Sequence, residues 1–425
     1  MKGLFALLGA AAILATGCGG QRAAVPVFVD TDMSTDDIVA LLYVATNPRL
    51  DLEAVAVSGT GLTTCPAGAR NALRLLALVG RGDVPVACGR ATPLTGANQF
   101  PVDWRTRADA FFGLQLPPVS RQPHGTAVDL LAKALAHTHH ATLLSLAPFT
   151  DTAELLRAKP ALAHTLDRIV AMGGAVQVPG NVGPGHEHAE YNVWVDPRAA
   201  QEVFASGVPV TLVPLDATND VPSTVFFSDA LRRYHYDTVA ATAVWDLDAA
   251  NPSIWTGGQY FWDPLAAAAV AKPDLLTYTR STLRVTASGR TVAVRGGAAV
   301  EVAVHADRQA FERELLGSLL AGKRFSLPKP NLPAVITFDG DRCTYRGPSQ
   351  AEAGQVAFDT VNRGVRSFTY LIGERGSPTP ELQGETPPHS RMTWVGSLGS
   401  GTKSIRCVVG SRTSRVATVV LEGAR

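Results

Sequence analysis

Four carboxylates fall within eight residues in Val27-Phe28-Val29-Asp30-Thr31-Asp32-Met33-Ser34-Thr35-Asp36-Asp37, directly after a run of buried-type residues. Part of this is ordinary helix chemistry: Ser34 or Thr35 can cap a following helix, and Asp36 and Asp37 in its first turn suit the positive end of the dipole. Asp30 and Asp32 have no such explanation. Like charges converging on a strand end repel one another unless a cation or a hydrogen-bond network compensates them. Hard carboxylate oxygens without Cys or His nearby favour calcium or magnesium. The segment therefore reads as a metal-binding enzyme site.

Further segments follow in order. They are Leu146-Ala147-Pro148-Phe149-Thr150-Asp151, Met172-Gly173-Gly174-Ala175 with Gly180-Asn181, Ala189-Glu190-Tyr191-Asn192 before Asp196-Pro197, Leu215-Asp216-Ala217-Thr218, and Trp262-Asp263-Pro264-Leu265-Ala266. Together with the first segment they resemble the DxDxGxDD, GPLTN, MGG...GN, AEFN...DP, LDVT and HDPLA motifs of the inosine-uridine-preferring nucleoside hydrolase family. The resemblance implies hydrolysis of the N-glycosidic bond of ribonucleosides to free base and ribose. It also implies a calcium ion held by Asp32, Asp37, the Thr150 carbonyl and Asp263, with Asp32 taking the proton of a water on that ion while a ribosyl cation develops. Asp36, Asn181, Glu190 and Asn192 are the residues it assigns to the ribose hydroxyls. Asp30 and Asp216 are expected to support the site through hydrogen bonds.

The departures are informative. Met33-Ser34 stands where the family has Pro-Gly, Asp151 where it usually has Asn, and Gly59-Thr60-Gly61-Leu62 lacks a common Asn. Trp262 replaces a histidine that in many members protonates the departing base, which an indole cannot do at ordinary pH. Tryptophan there resembles purine-preferring relatives, in which stacking eases departure of the base, so Trp262 is expected to bind substrate and the preference to lean towards purines. Tyr260, Trp255 and Trp245 are candidates for the same aromatic wall, His124-Gly125 for a flexible active-site loop, and His186 and His188 for the entrance. His124 and His235 are the alternative acids, whereas His137, His139 and His140 suit a helix C-terminus.

Two other functions fit parts of the pattern. Asp30-Thr31-Asp32 also resembles the nucleophile loop of haloacid-dehalogenase-like phosphatases, but Ser34 stands where a Thr or Val is usual, and the downstream segments have no role in that chemistry. A lipid-anchored nucleoside- or sugar-binding protein on the same scaffold is the second alternative. Retention of every ligand-type carboxylate speaks for catalysis.

Elements that could position these residues are visible in the sequence. Short β-rich runs (Val25 to Val29, Leu52 to Val57, Val84 to Ala87, Thr142 to Leu146, Arg168 to Met172, Val208 to Val213) alternate with helical ones (Asp36 to Ala45, Ala69 to Leu78, Ala127 to His137, Thr152 to Ala158, Arg198 to Ala205). This predicts an α/β fold with a mainly parallel sheet flanked by helices, its ligands outside the carboxyl ends of the strands. After Pro222 the pattern predicts a helix over Asp263 to Ala271, strands at Leu283 to Thr286 and Val292 to Arg295, and a helix from Arg308 to Leu320. A Pro-rich linker, 327–333, separates this catalytic unit, 24–326, from short β-runs over 334–425 that predict a small all-β sandwich.

Cys65 and Cys88 follow two runs that, as neighbouring parallel strands, would place both thiols near one sheet edge. Cys343 and Cys407 are expected to bridge the sandwich. No spacing supports zinc, and His389, Met392 and Cys407 lack the clustering of a copper site. At 425 residues, with 46% hydrophobic and 18% charged positions, the chain has room for two or three well-cored domains and is not mainly disordered. A balance of 38 Lys and Arg against 37 Asp and Glu provides no basic field for nucleic acid.

Lys2, the apolar Leu4 to Leu14 and Ala15-Thr16-Gly17-Cys18 resemble a bacterial lipoprotein signal over 1–18. This implies a lipid on Cys18, a membrane anchor and an extracytoplasmic, disulfide-permissive location; an ordinary secretory signal is the alternative. Past that segment no apolar run approaches the ~20 residues that span a bilayer. The expected partner is a small nucleoside. Homo-oligomerisation stays open, and the sandwich has no assigned partner.

Overall fold

The computed structural model describes residues 23–254, 258–324 and 334–422. The signal-like segment with Cys18, Trp255 and the 327–333 linker lie outside the described residues. The first nine strands are β1 (Val25–Thr31), β2 (Leu50–Val57), β3 (Val86–Cys88), β4 (Ala141–Ser145), β5 (Leu166–Met172), β6 (Val210–Val213), β7 (Leu276–Val285), β8 (Thr291–Ala293) and β9 (Ala298–Ala306). They form one sheet in the order β3-β2-β1-β4-β5-β6-β9-β7-β8. Pairing is parallel from β3 to β9, and antiparallel where β7 joins β9 and β8 joins β7. All the strands expected before residue 214 are present, as is the mainly parallel sheet. The seventh parallel strand, β9, carries only a partial alternation and was not anticipated.

Because side chains alternate along a strand, β1 feeds two cores. Val27 and Val29 pack with the helices Thr35–Thr46, Val239–Ala250, Trp262–Ala271 and Arg308–Ala321, whereas Phe28 packs with Ala127–Leu135, Thr150–Ala158 and Pro197–Phe204. Asp30 shares the face of Phe28. Its partner accordingly comes from that second layer. In Trp262–Ala271 the run Ala266 to Ala269 is fully buried, and these small side chains let the helix lie close against Thr35–Thr46. The first turns of both helices therefore meet above the carboxyl end of β1.

The chain leaves β1 for β2 on one side and later returns to place β4 on the other, so the strand order reverses between β1 and β4. Such a switch point opens a crevice outside the strand ends. A disulfide joins Cys65, at the start of the helix Cys65–Leu78, to Cys88 at the end of β3, with Cα atoms 5.5 Å apart. It closes the sheet edge where the sequence brought the two thiols together.

The C-terminal region is all-β. Val335–Phe338 (β10), Cys343–Arg346 (β11), Gln350–Glu352 (β12), Gly354–Asn362 (β13), Phe368–Glu374 (β14), Leu382–Thr386 (β15), Arg391–Leu398 (β16), Gly401–Val409 (β17) and Arg412–Glu422 (β18) form two sheets, β11-β10-β13-β16 and β12-β18-β17-β14-β15. Alternate residues such as Ile336 and Phe338, Phe368 and Tyr370, and Val419 and Leu421 fill a core of their own. The Cys343–Cys407 disulfide links β11 of one sheet to β17 of the other.

Candidate active site

Asp32 lies just beyond β1 and is 3% exposed. The loop after β2 grips it: Leu62 N–H donates to Oδ2 at 2.9 Å, and the amide and hydroxyl of Thr63 donate to its carbonyl. Gly61 is required there, since a Cβ would stand 2.1 Å from Asp32 Cβ. The next residue, Met33, takes φ 57°, a left-handed value that side chains disfavour, and its N–H donates to Thr31 Oγ1 at 3.1 Å. Proline could provide neither this angle nor this donor, so the turn departs from the Pro-Gly form that its relatives' motif implies. Ser34 then caps Thr35–Thr46 in a capping box with Asp37. Asp37 Oδ1 also accepts from Thr31 Oγ1 and from Asp32 N.

Asp36, Asp37 and Asp263 each bring a carboxylate oxygen within 4.8 Å of the others, and Asp263 N–H donates to Asp36 Oδ2 at 3.3 Å. Burial, reinforced by the neighbouring carboxylates, pushes Asp32 and Asp263 well above the ordinary range and Asp36 up to about 6. No ion pair among the described residues involves these groups, and Asp263 Oδ1 is buried without a hydrogen-bond partner. An all-oxygen, like-charged and partly unsatisfied cluster at two helix N-termini fits a hard divalent cation, whose charge would let the carboxylates ionise together.

These residues line a cavity of about 360 Å³ together with Asn181, Glu190, Asn192, Leu146 and Trp262. Of the residues assigned to the metal, the ribose and base stacking, Thr150 alone is not on its wall. It is fully buried at the start of the helix Thr150–Ala158, with its hydroxyl donating to Asp196 Oδ2 at 2.8 Å. Leu146, at the end of β4, is on the wall instead, and its carbonyl accepts from Asn192 Nδ2 at 2.7 Å.

Glu190 caps the helix Tyr191–Val195, and its carboxylate accepts from the amides of Gly174, Asn192 and Val193. Desolvation nonetheless raises its pKa. Asn181 Oδ1 accepts from Tyr191 N–H, leaving its amide nitrogen for the cavity. The supporting roles expected for Asp30 and Asp216 are present: Thr152 Oγ1 donates to Asp30 Oδ2 at 2.9 Å, and Asp216 accepts from Val176 and Gln177 N–H.

Part of the remaining wall is aromatic. Trp262 contributes alongside Phe100, Trp104, Phe112 and Tyr191, with Phe100 stacked on Tyr191 at 4.8 Å. Tyr260 supports Trp262 from 5.7 Å, whereas Trp245 packs on His235. No histidine lines this cavity among the described residues. His124 and His235 lie elsewhere, and His186 borders an adjoining cavity beside Trp194. The stretch around the helix Val102–Asp109 contributes Phe100, Trp104, Arg107 and Phe112 to the wall, and His124 is not on it. The clue available was the density of aromatics from Phe100 to Phe112 in an otherwise polar stretch.

Comparison with known proteins agrees with this geometry. Residues 27–313 match the inosine-uridine preferring nucleoside hydrolase family. The chain is 34% identical over 273 residues to the pyrimidine-specific ribonucleoside hydrolase RihA of Escherichia coli, covering 63% of this chain and 86% of that protein. Among solved structures, the plant nucleoside hydrolase PpNRh1 superposes with a TM-score of 0.64 at 28% identity, covering 70% of this chain and 99% of that one. A purine-preferring ribonucleoside hydrolase from Gardnerella vaginalis gives 0.60 at 25% identity, over 70% and 99% of the two chains. A match running through nearly the whole α/β portion, with the motif carboxylates gathered at the switch point of its sheet, makes this chain a member of the inosine-uridine preferring nucleoside hydrolase family, an enzyme that hydrolyses the N-glycosidic bond of ribonucleosides.

Proposed function

We propose that the enzyme is calcium-dependent and leans towards purine ribonucleosides, with Asp32 as general base. The observation that carries this reading is the composition of the cavity: carboxylates and aromatic rings on one wall and, among the described residues, no histidine. Asp32, Asp37, Asp263 and the Leu146 carbonyl would hold the calcium ion, Leu146 taking the place first given to Thr150. When bound, the ion supplies a positive field that makes a water molecule acidic and anchors ribose hydroxyls.

The chain does the remaining work. Asp32, fixed by Leu62 and Thr63, takes the proton of the attacking water. Asp36, Asn181 and the side-chain oxygen of Asn192 hold the ribose, with Glu190 capping the helix that carries Asn192. The surrounding carboxylates favour the positive charge that grows on the ribosyl ring. Trp262 stacks on the base but donates no proton to it. A purine has a five-membered ring whose N7 takes up charge as the bond breaks and is open to protonation by solvent, whereas a pyrimidine lacks that nitrogen and depends more on a placed acid. The relatives' names point both ways, one pyrimidine-specific and one purine-preferring, so the tryptophan decides the reading.

Chromatography of products from a nucleoside panel in calcium buffer tests it. Inosine or guanosine should have a higher kcat/KM than uridine or cytidine, and Trp262→Ala should lower purine turnover selectively. Equal or faster cleavage of uridine would overturn the purine preference. We further propose a lipid-anchored, extracytoplasmic location, supported by the Cys18 segment and by two disulfides of a kind that persists in oxidising compartments. Metabolic labelling of Cys18 with a fatty acid, lost in Cys18→Ala, is the expected result.

A further inference from the structure

Arg107 is the one cationic side chain on the cavity wall among the described residues. It belongs to the helix Val102–Asp109 and has no carboxylate partner there. Instead, its Nη2 donates to Asn251 Oδ1 at 2.9 Å. Asn251 is 5% exposed and fully engaged: its amide nitrogen donates to the carbonyls of Phe112 and Leu247 at 2.9 and 2.8 Å. Phe111 and Phe112 both hold left-handed backbones, φ 56° and 51°, beneath this bracket. Two residues with left-handed backbones and a buried amide thus hold a guanidinium that has no ion-pair partner among the described residues, and the same amide holds the backbone of Phe112, an aromatic of the cavity wall. Strain held by surrounding structure is a mark of a built site.

Resting on the reading of this cavity as a purine nucleoside site, we propose that Arg107 is a specificity-determining residue that selects bases with a 6-oxo group. In hydrolysis the electron pair of the glycosidic bond leaves on the base, the water oxygen joins C1′, and the water's proton passes to Asp32. The base regains a proton from solvent. Until then it carries negative charge, which hypoxanthine and guanine spread onto O6 and N7. A guanidinium is a fixed fork of donors with no acceptor, and it matches that edge with two hydrogen bonds. Adenine turns a 6-amino donor towards the same fork, donor against donor. Trp262 stacks equally on either ring, so the discrimination belongs to Arg107.

Inosine and adenosine, alike in ribose and ring system, form the test on the full chain in calcium buffer. Inosine should exceed adenosine in kcat/KM by about tenfold or more, and Arg107→Gln should lower inosine by about tenfold while adenosine changes much less. Asn251→Ala should give a smaller loss in the same direction. Hypoxanthine should protect the wild-type protein against thermal unfolding better than adenine, and Arg107→Gln should erase that difference. Adenosine cleaved as fast as inosine, or equal losses for both substrates in the variant, overturns the proposal. Preference for inosine 5′-monophosphate over inosine that vanishes in Arg107→Gln would assign the residue to a phosphate and overturn it too. Absence of ribose release from any nucleoside would instead count against the reading of the site, and the two free bases would still test Arg107 by binding alone.

Discussion

Buried charge is treated in opposite ways at the two ends of this molecule. In the sandwich, Lys403 is 1% exposed, and its Nζ donates to Glu374 and Glu381 at 3.0 and 2.6 Å. The charge is neutralised where it lies, by partners whose outer faces reach water. Beyond the carboxyl end of β1, Asp32, Asp36, Asp37 and Asp263 gather with no side-chain cation paired to them among the described residues, and Asp263 leaves an oxygen unsatisfied. A buried charge with its counter-charge in place is finished structure. One without it costs stability, and a bound cation would remove that cost.

The sharpest way to break this contrast is to alter both ends. Asp32→Asn keeps volume but removes the proton acceptor and one metal charge. Ribose release should fall by at least about a hundredfold while circular dichroism stays unchanged. A folded variant keeping more than about a tenth of the rate would show that Asp32 is not the base. In the sandwich, Glu374→Gln combined with Glu381→Gln strands the ammonium and should destabilise that region by about 3 kcal/mol, measured by denaturant unfolding, with catalysis untouched. Lys403→Met, which leaves two glutamates able to reach solvent, should shift stability by no more than about 1 kcal/mol.

Calcium separates the two regions by their response to a ligand. At about one hundred times its dissociation constant it should stabilise the α/β portion by about 2.7 kcal/mol. Asp263→Asn should remove that shift in a calorimetric scan, and an undiminished shift would place the ion elsewhere. The smallest expected effect concerns Asp151, which burial, and then the nearby Asp30, hold well above the ordinary carboxylate range. Its Oδ2 and Asp30 Oδ1 both lack partners. A folded-state pKa above the unfolded one means that stability is full below about pH 4 and declines as pH rises towards the folded value. Asp151→Asn should therefore change stability little at pH 4 and become increasingly stabilising as the pH rises towards 8, read by denaturant unfolding at both pH values. A gain that does not depend on pH would show that Asp151 is ionised in the fold.

The residues readable from sequence were those whose side chains mark the proposed site. The carboxylate run after β1 and Trp262-Asp263 declare themselves by type and spacing, and alternating strands and helices declare the sheet that collects them. Leu146 does not, since the atom proposed as a ligand is a backbone carbonyl shared by every residue type, and the nearby Thr150 looked the better donor. Val102–Asp109 was hidden for a different reason. It is short and carries charges, and of its residues only Ala108 is buried, so its pattern lacks the periodic apolar face that marks a helix. Arg107 was missed with it. β9 carries glutamate and histidine at exposed positions within an alanine- and valine-rich run, which blurred the signal of a strand that has β6 on one side and β7 on the other.

The turn at Met33 also bears on how this enzyme can be re-engineered. Its backbone angle, its N–H bond to Thr31 and the Thr31 bond to Asp37 form one closed circuit. Proline placed at 33 alone would sever the circuit at its first link, leaving Thr31 and Asp37 to rearrange beside the carboxylate cluster. The stretch from Thr31 to Asp37 behaves as a single cassette, so a loop from a relative should be transplanted whole, because individual residues carry conformations that only their own neighbours support.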